Sequence, residues 1–301
     1  MIGSNLTWRH KAVTQSGIQI FDVKLFDQSR KREIRCRHYV PSAKGPWPLV
    51  IVSHGTGGSD ESYAYLGEAL ARAGFLAVHP NHPGSDKAVL KTVRFSQNQQ
   101  AILEASLDPQ NWRDRPADIT FLLDQWAEAE RQIPEIRGKV DLSRIAVVGH
   151  SMGAYTALAL AGAAITFPQG KKSFTDSRIQ SIVAISPAGP GQIFDMESFR
   201  TVQRPVLCIT GSKDEGLRGE PPSWRVEGFE ALPLGRKDLA FIEGATHLSF
   251  VDAMPFNDLP YVRDITSRAT VAFLDAHLRG DDRDLMALRR GVEKNVKWRR
   301  Q

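Results

Sequence analysis

Residues 149–153 read Gly-His-Ser-Met-Gly and follow the apolar run Ile145-Ala146-Val147-Val148. A buried-strand pattern precedes this serine and an Ala/Leu-rich helical pattern follows it. That context predicts a sharp strand-to-helix turn, which lifts the Ser151 hydroxyl above the end of a sheet. Glycine at 149 and 153 removes the side chains that would hold strand and helix apart. The first amides of the helix then face whatever the hydroxyl attacks. The chemistry expected is nucleophilic attack on an acyl group, as in a hydrolase or an acyltransferase.

A serine hydroxyl is a weak nucleophile at neutral pH; it needs a base, and the base needs an orienting group. Behind a turn of this kind the acid and then the histidine follow in the chain, each beyond a late strand. Asp214 is the acid candidate, because it follows Val206–Thr210 and the turn Gly211-Ser212-Lys213. The alternative for such an aspartate is a helix cap, and its rivals Asp195 and Asp252 lie farther from a strand end. His247, in Gly244-Ala245-Thr246-His247, is the base candidate. Of eight histidines it alone follows Asp214 at a strand end, since His277 falls inside a helical pattern beside Leu274 and Leu278.

An oxyanion hole needs two preorganised N–H groups. One is assigned to Met152, and the other to Thr56 in Ser53-His54-Gly55-Thr56-Gly57-Gly58, with Gly55 or Gly57 as alternatives. The competing reading of that segment is a plain flexible loop. His54 reads as a structural residue beneath it, His150 as part of the elbow, and Met152 also stands where an acyl group would touch it. His79-Pro80-Asn81-His82 suggests a metal, but no Cys or carboxylate cluster accompanies it at ligand spacing. Neither a metal nor a cofactor is therefore expected. Trp112 either lines the cleft or packs; both readings stay open.

These groups need a frame. Ile34, Cys36, His38 and Val40 alternate with polar neighbours, which predicts a half-buried antiparallel strand paired with Ile18–Leu25. Beyond Pro46-Trp47-Pro48, Leu49-Val50-Ile51-Val52 is uninterrupted, as in a strand covered on both faces. Next come a helix over 61–73 closed by Gly74, a strand over 75–78, and a helix over 116–130 with Pro116 in its first turn. Strand 145–148, helix 152–163, strands 179–185, 206–210 and 239–242, and helix 264–278 complete the order. The alternation predicts an α/β fold with a mostly parallel central sheet, antiparallel N-terminal strands and helices on both faces. No composition shift marks a boundary, so residues 1–301 read as one domain. Long connections at about 84–115, 187–204 and 215–237 are expected to wall the site. The first is the candidate lid, although its stretch 97–107 also reads as a packed helix.

The 301 residues are 42% hydrophobic and 24% charged, ordinary for a globular protein. A net charge of +5, spread along the chain, speaks for solubility rather than nucleic-acid binding. The densest basic run, Lys297–Arg300, reads as a solvated end. Cys36 and Cys208 sit in strand patterns as small apolar residues rather than as a disulfide. No apolar stretch is long enough to span a bilayer, and Met1–Val13 has no apolar signal core, so cytoplasmic residence is expected.

Seven segments together resemble the α/β-hydrolase superfamily: Leu49–Ser59, Gly74–Gly84, Arg115–Leu123, Ala146–Ala154, Val206–Asp214, Glu243–Phe250 and Thr270–Gly280. Within it the chain is similar to the dienelactone-hydrolase branch that includes platelet-activating-factor acetylhydrolase-like esterases. Two departures matter. Dienelactone hydrolases proper use a cysteine nucleophile, and Ser151 stands here. Animal acetylhydrolases place the acid after the strand that follows the nucleophile helix, where this chain reads Ala184-Ile185-Ser186-Pro187. The resemblance implies an α/β-hydrolase fold, a Ser151–His247–Asp214 triad, and a small-molecule ester of small to medium or aromatic acyl type as substrate. Activity should rise with pH through about 6.5–7.5, where a catalytic imidazole loses its proton. An amidase or peptidase with the same residues, and a ligand-binding protein without turnover, are the alternatives. Oligomeric state is not legible.

Overall fold

The computed structural model describes residues 10–13, 17–90, 95–191, 193–252, 258–291 and 293–301. Most of the Met1–Val13 segment read for a leader, and parts of the 84–115 and 187–204 connections, lie outside these residues.

Among the described residues ten strands form one sheet: β1 (His10–Val13), β2 (Gln19–Asp27), β3 (Arg32–Val40), β4 (Trp47–Ser53), β5 (Leu76–Pro80), β6 (Val140–His150), β9 (Ile179–Ile185), β10 (Val206–Lys213), β11 (Lys237–Thr246) and β12 (Val296–Arg300). A separate hairpin, β7 (Ile165–Phe167) with β8 (Gly170–Lys172), follows helix α5 (Met152–Leu160). The spatial order β1-β2-β3-β5-β4-β6-β9-β10-β11-β12 is antiparallel through β1–β3 and parallel from β5 to β11. The expected strand pair registers as Gln19↔Val40 through Asp27↔Arg32.

The uninterrupted run in β4 is explained by its two covers. Leu49 and Ile51 belong to a core packed under α3 (Pro109–Asp124), α4 (Trp126–Gln132) and α5. Val50 and Val52 belong to the opposite core, under α1 (Ala64–Arg72), α8 (Pro260–Leu274) and α9 (Arg283–Arg289). A strand with helices on both faces has no solvent side on which to place polar residues. Chain order reverses at β4, which lies between β5 and β6, and such a switch point opens a crevice at the carboxyl ends of the strands.

Three expectations need correction. The helix expected over 116–130 begins instead at Pro109, capped by Asp108, whose carboxylate accepts the Gln110 amide at 2.8 Å, and a break at Gln125 divides it. Pro116 sits inside α3. A proline there leaves the carbonyl four residues back without its donor; that carbonyl, on Trp112, accepts the Tyr155 hydroxyl at 3.0 Å. The helix expected from Glu61 starts at Ala64, because Tyr63 is left-handed at φ 62 and its amide donates to Asp252 at 2.6 Å. The basic C-terminal run is strand β12, paired antiparallel with β11 from Asp238↔Arg300 to Ile242↔Val296. Its exposed charges guard a sheet edge, the usual device against unwanted strand pairing. Among the described residues no helix is long and apolar enough to cross a membrane.

Candidate active site

β6 ends in the elbow. Ser151 sits at φ 55, ψ −116, a backbone state that costs roughly 1–3 kcal/mol outside glycine. Close packing fixes it there. A Cβ on Gly149 would lie 2.1 Å from the Gly153 carbonyl carbon, and one on Gly153 would lie 1.9 Å from the Ser53 oxygen. Any side chain at either position would drive the strand and helix apart.

The loops beyond β10 and β11 bring the other candidates to the serine. Ser151 Oγ is 3.1 Å from His247 Nε2, and His247 Nδ1 is 3.1 Å from Asp214 Oδ1. Asp214 is fully buried and His247 is one-fifth exposed. Burial pushes the Asp214 carboxyl up, but the hydrogen bond from His247, the Arg225 charge and the Ser186 hydroxyl outweigh it and leave it below the usual range. The rival acids serve elsewhere: Asp195 accepts the Ser198 amide at the start of α6 (Met196–Arg200), and Asp252 accepts that of Tyr63 at the start of α1.

Two residues at this cluster escaped the sequence reading. Ser186, at φ 50 after β9, donates to Asp214 Oδ1 at 2.9 Å and stands 2.6 Å from His247 Nδ1. Arg225 comes from α7 (Pro222–Glu230), inside the third long connection, and lies 2.9 Å from Asp214 Oδ1. The lack of a carboxylate in Ala184-Ile185-Ser186 was visible; that its hydroxyl would reach the acid was not. For Arg225 there was no signal at all.

The elbow residue His150 braces His247. Its Nδ1 is 2.8 Å from the Tyr63 hydroxyl and its Nε2 is 3.0 Å from the His247 carbonyl. Burial, then the neighbouring His247 charge, hold His150 well below the normal imidazole range, so it is neutral with one N–H. Donation from Nε2 to His247 and acceptance at Nδ1 from Tyr63 uses both nitrogens.

The loop after β4 runs against Ser151, since Ser53 pairs with Gly149 and a Cβ on Gly55 would lie 3.4 Å from Ser151 Cβ. Its carbonyls are held from behind. Arg115, fully buried in α3, donates from Nη1 to His54 O at 2.6 Å and from Nε to Ser85 Oγ at 2.8 Å. His54 Nδ1 reaches Gly55 O at 2.7 Å and its Nε2 accepts the His82 amide at 3.1 Å. Gly57 and Gly58 spend their amides on Ser85 O and Gly55 O, and the Gly55 amide faces the Tyr63 hydroxyl, which favours Thr56 among the three oxyanion candidates. Met152 opens α5, so its amide is among the unpaired first donors of that helix. Arg115 falls within Arg115–Leu123, one of the segments that carry the family resemblance, but nothing in its local sequence points to its place under this loop. Burial pushes its guanidinium down to about 10, still charged at neutral pH.

His82 bridges Ser53 Oγ and Asp118, each at 3.0 Å, while His79 Nδ1 is 3.0 Å from Ser62 O. Among the described residues no three His, Cys, Asp or Glu side chains come together as metal ligands. Trp112 is buried and donates to Ser106 O at 2.8 Å: it packs and is not a cleft wall.

A cavity of about 300 Å³ opens on Ser151 and His247, walled by Leu103, Leu107, Met152, Tyr155, Phe194 and Trp224. The long connections therefore do supply walls: Leu103 and Leu107 come from α2 (Phe95–Leu107), which occupies the candidate lid. A larger groove of about 780 Å³ between α1, α8 and α9 holds neither a serine–histidine pair nor an unpaired Arg268, which bridges Asp264 and Glu293. The serine–histidine pair lies with the smaller cavity.

Residues 49–297 match the model of the alpha/beta hydrolase family. The chain belongs to that family. A curated relative of this family member, platelet-activating factor acetylhydrolase of Cavia porcellus, is 22% identical over 271 residues. That match takes in 77% of this chain and 58% of the relative's length. Among solved structures, a ferulic acid esterase from Streptomyces cinnamoneus superposes with TM-score 0.63 at 20% identity, covering 92% of this chain and 94% of its own. An acetyl xylan esterase from Paenibacillus sp. R4 gives 0.60 at 19%, covering 91% and 89%. At such identities the structural likeness speaks for the fold.

Proposed function

We propose that this chain, working as a single domain, is a serine carboxylic ester hydrolase. The observation that carries the reading is the 3.1 Å approach of His247 Nε2 to a Ser151 hydroxyl held in a strained elbow at the mouth of an apolar cavity. His247 takes the proton from Ser151 Oγ as that oxygen attacks the ester carbonyl. Asp214 accepts from Nδ1 and stabilises the imidazolium. The Met152 and Thr56 amides receive the oxyanion. The imidazolium then protonates the leaving alcohol, and water deprotonated by His247 releases the acid from the acyl-enzyme.

The cavity supports a small to medium or aromatic acyl group, since its walls are mostly apolar and aromatic. The named activities of the relatives, acting on acetyl and feruloyl esters, agree with an ester substrate. The test is hydrolysis of p-nitrophenyl esters from acetate to palmitate, with Ser151→Ala in parallel. Turnover that peaks at short or medium chains and vanishes in the variant is expected. No turnover of any ester by folded protein would sink the reading and move it to amides or to ligand binding.

A further inference from the structure

Arg225 makes more contacts around Asp214 and His247 than packing requires. It is 3% exposed. Nε donates to Asp214 O at 2.8 Å and lies 2.9 Å from Asp214 Oδ1. Nη1 donates to the carbonyls of Ser186 and Pro187 at 3.1 and 3.0 Å. Nη2 donates to Glu215 O at 2.7 Å and stands 3.1 Å from His247 Nδ1. One fork thus ties the loop after β9 to the loop after β10, with its charge against the edge of the base.

That last contact is not an ordinary hydrogen bond. When Nδ1 carries its proton and donates toward Asp214 or the Ser186 hydroxyl, it has no lone pair left for a guanidinium. A neutral His247 ring tolerates the cation, whereas an imidazolium is repelled by it. Three other groups face His247 or Arg225. Asp214 attracts the imidazolium but shares its charge with Arg225. His150, at a ring separation of 4.7 Å, is neutral. Glu220 tempers the Arg225 charge from a distance.

We propose that Arg225 is a positioning residue of the Ser151 site: it holds Asp214 and the β9 loop in register around His247 and, by its charge, opposes protonation of that ring. The inference rests on Ser151, His247 and Asp214 acting as the triad. Charge and geometry can be separated, because lysine keeps the cation but lacks the planar fork.

The experiment is the pH dependence of kcat/KM and kcat from pH 5 to 9 on p-nitrophenyl butyrate, using the full chain as wild type, Ser151→Ala, Arg225→Gln and Arg225→Lys. In Arg225→Gln the acidic limb should move up by about one pH unit, as expected when a contacting like charge is removed. In Arg225→Lys the limb should stay while kcat falls about tenfold on the plateau. An arginine that only supports the fold would lower kcat or the yield of folded protein without moving the limb. An unmoved limb in folded Arg225→Gln overturns the proposal. Should circular dichroism show that this variant is unfolded, Arg225→Lys decides alone, and an unchanged plateau kcat or a limb displaced upward overturns it. Ser151-dependent turnover with an unmoved limb defeats this inference only; wild type without Ser151-dependent turnover defeats the triad as well.

Discussion

Two buried arginines clamp the two halves of the site, and they do it differently. Arg115 lies behind the glycine loop and donates to the His54 carbonyl and the Ser85 hydroxyl, beside the neutral His54 ring and within the attraction of the Asp118 charge. Arg225 lies behind the acid loop and touches a carboxylate and the base as well as carbonyls. Under the proposed mechanism the first acts through backbone geometry, which aims amides at the developing oxyanion. The second acts through geometry and charge together. In that mechanism the oxyanion side is pinned through neutral backbone and hydroxyl contacts, and the proton side carries the fixed charge.

The largest effects should come from the groups both clamps serve. Ser151→Ala and His247→Ala are each expected to lower kcat on p-nitrophenyl esters by about 10⁶-fold, and the double variant by no more than either alone. Losses that multiplied in the double variant would mean that the two residues do not act as a unit. Next in size is Arg115→Met. Preorganised oxyanion donors contribute about 10²–10³ in kcat; a loop that loses its pin while keeping its sequence should lose about 10² of that. The acidic limb should not move, because Arg115 does not touch His247. The variant leaves the His54 carbonyl and the Ser85 hydroxyl without this donor, at a cost of about 1–3 kcal/mol each; Asp118 keeps Arg30 and Arg32 as partners, and circular dichroism should show a folded but less stable protein. A displaced limb in Arg115→Met would erase the contrast between the two clamps.

The same contrast explains what was legible in the sequence. The elbow is written in five consecutive residues, because its constraint is local: two glycines must meet around one serine. The parallel strands were readable from uninterrupted apolar runs, and Asp214 and His247 from their order after those strands. The clamps were not readable. Arg225 reaches the site from a helix inside a long connection, and its partners Ser186, Asp214 and His247 come from three different strand ends. Helix boundaries failed for a related reason. Pro116 looked like a helix start because the carbonyl it leaves free is satisfied by Tyr155, and α1 starts late because its cap, Asp252, is 189 residues away from Tyr63. Long-range polar partners leave no trace in local spacing. The charged strand β12 resembles a tail because an edge strand needs charge where an inner one needs valine.

The smallest expected effect separates the clamps by stability instead of rate. Around Arg115 and the neighbouring strands, burial keeps the histidines neutral: His38 is lowered to about 4 and His79 to about 3, and burial with the Arg115 charge pushes His54 and His82 well below the usual range. In the unfolded chain these rings take up protons near pH 6.5. Between that pH and their folded values the unfolded state binds more protons, so stability is fully present above about pH 6.5 and is lost as pH falls toward 4. Each such ring contributes up to about 1.4 kcal/mol per pH unit to the slope. Urea unfolding at a series of pH values should show this loss, and His79→Gln should make it shallower without moving the acidic limb of activity. A stability that stays flat from pH 7 to 4.5 would mean that these rings charge within the folded protein. The division between a silent histidine layer around Arg115 and the proton-transferring pair proposed beside Arg225 would then be lost.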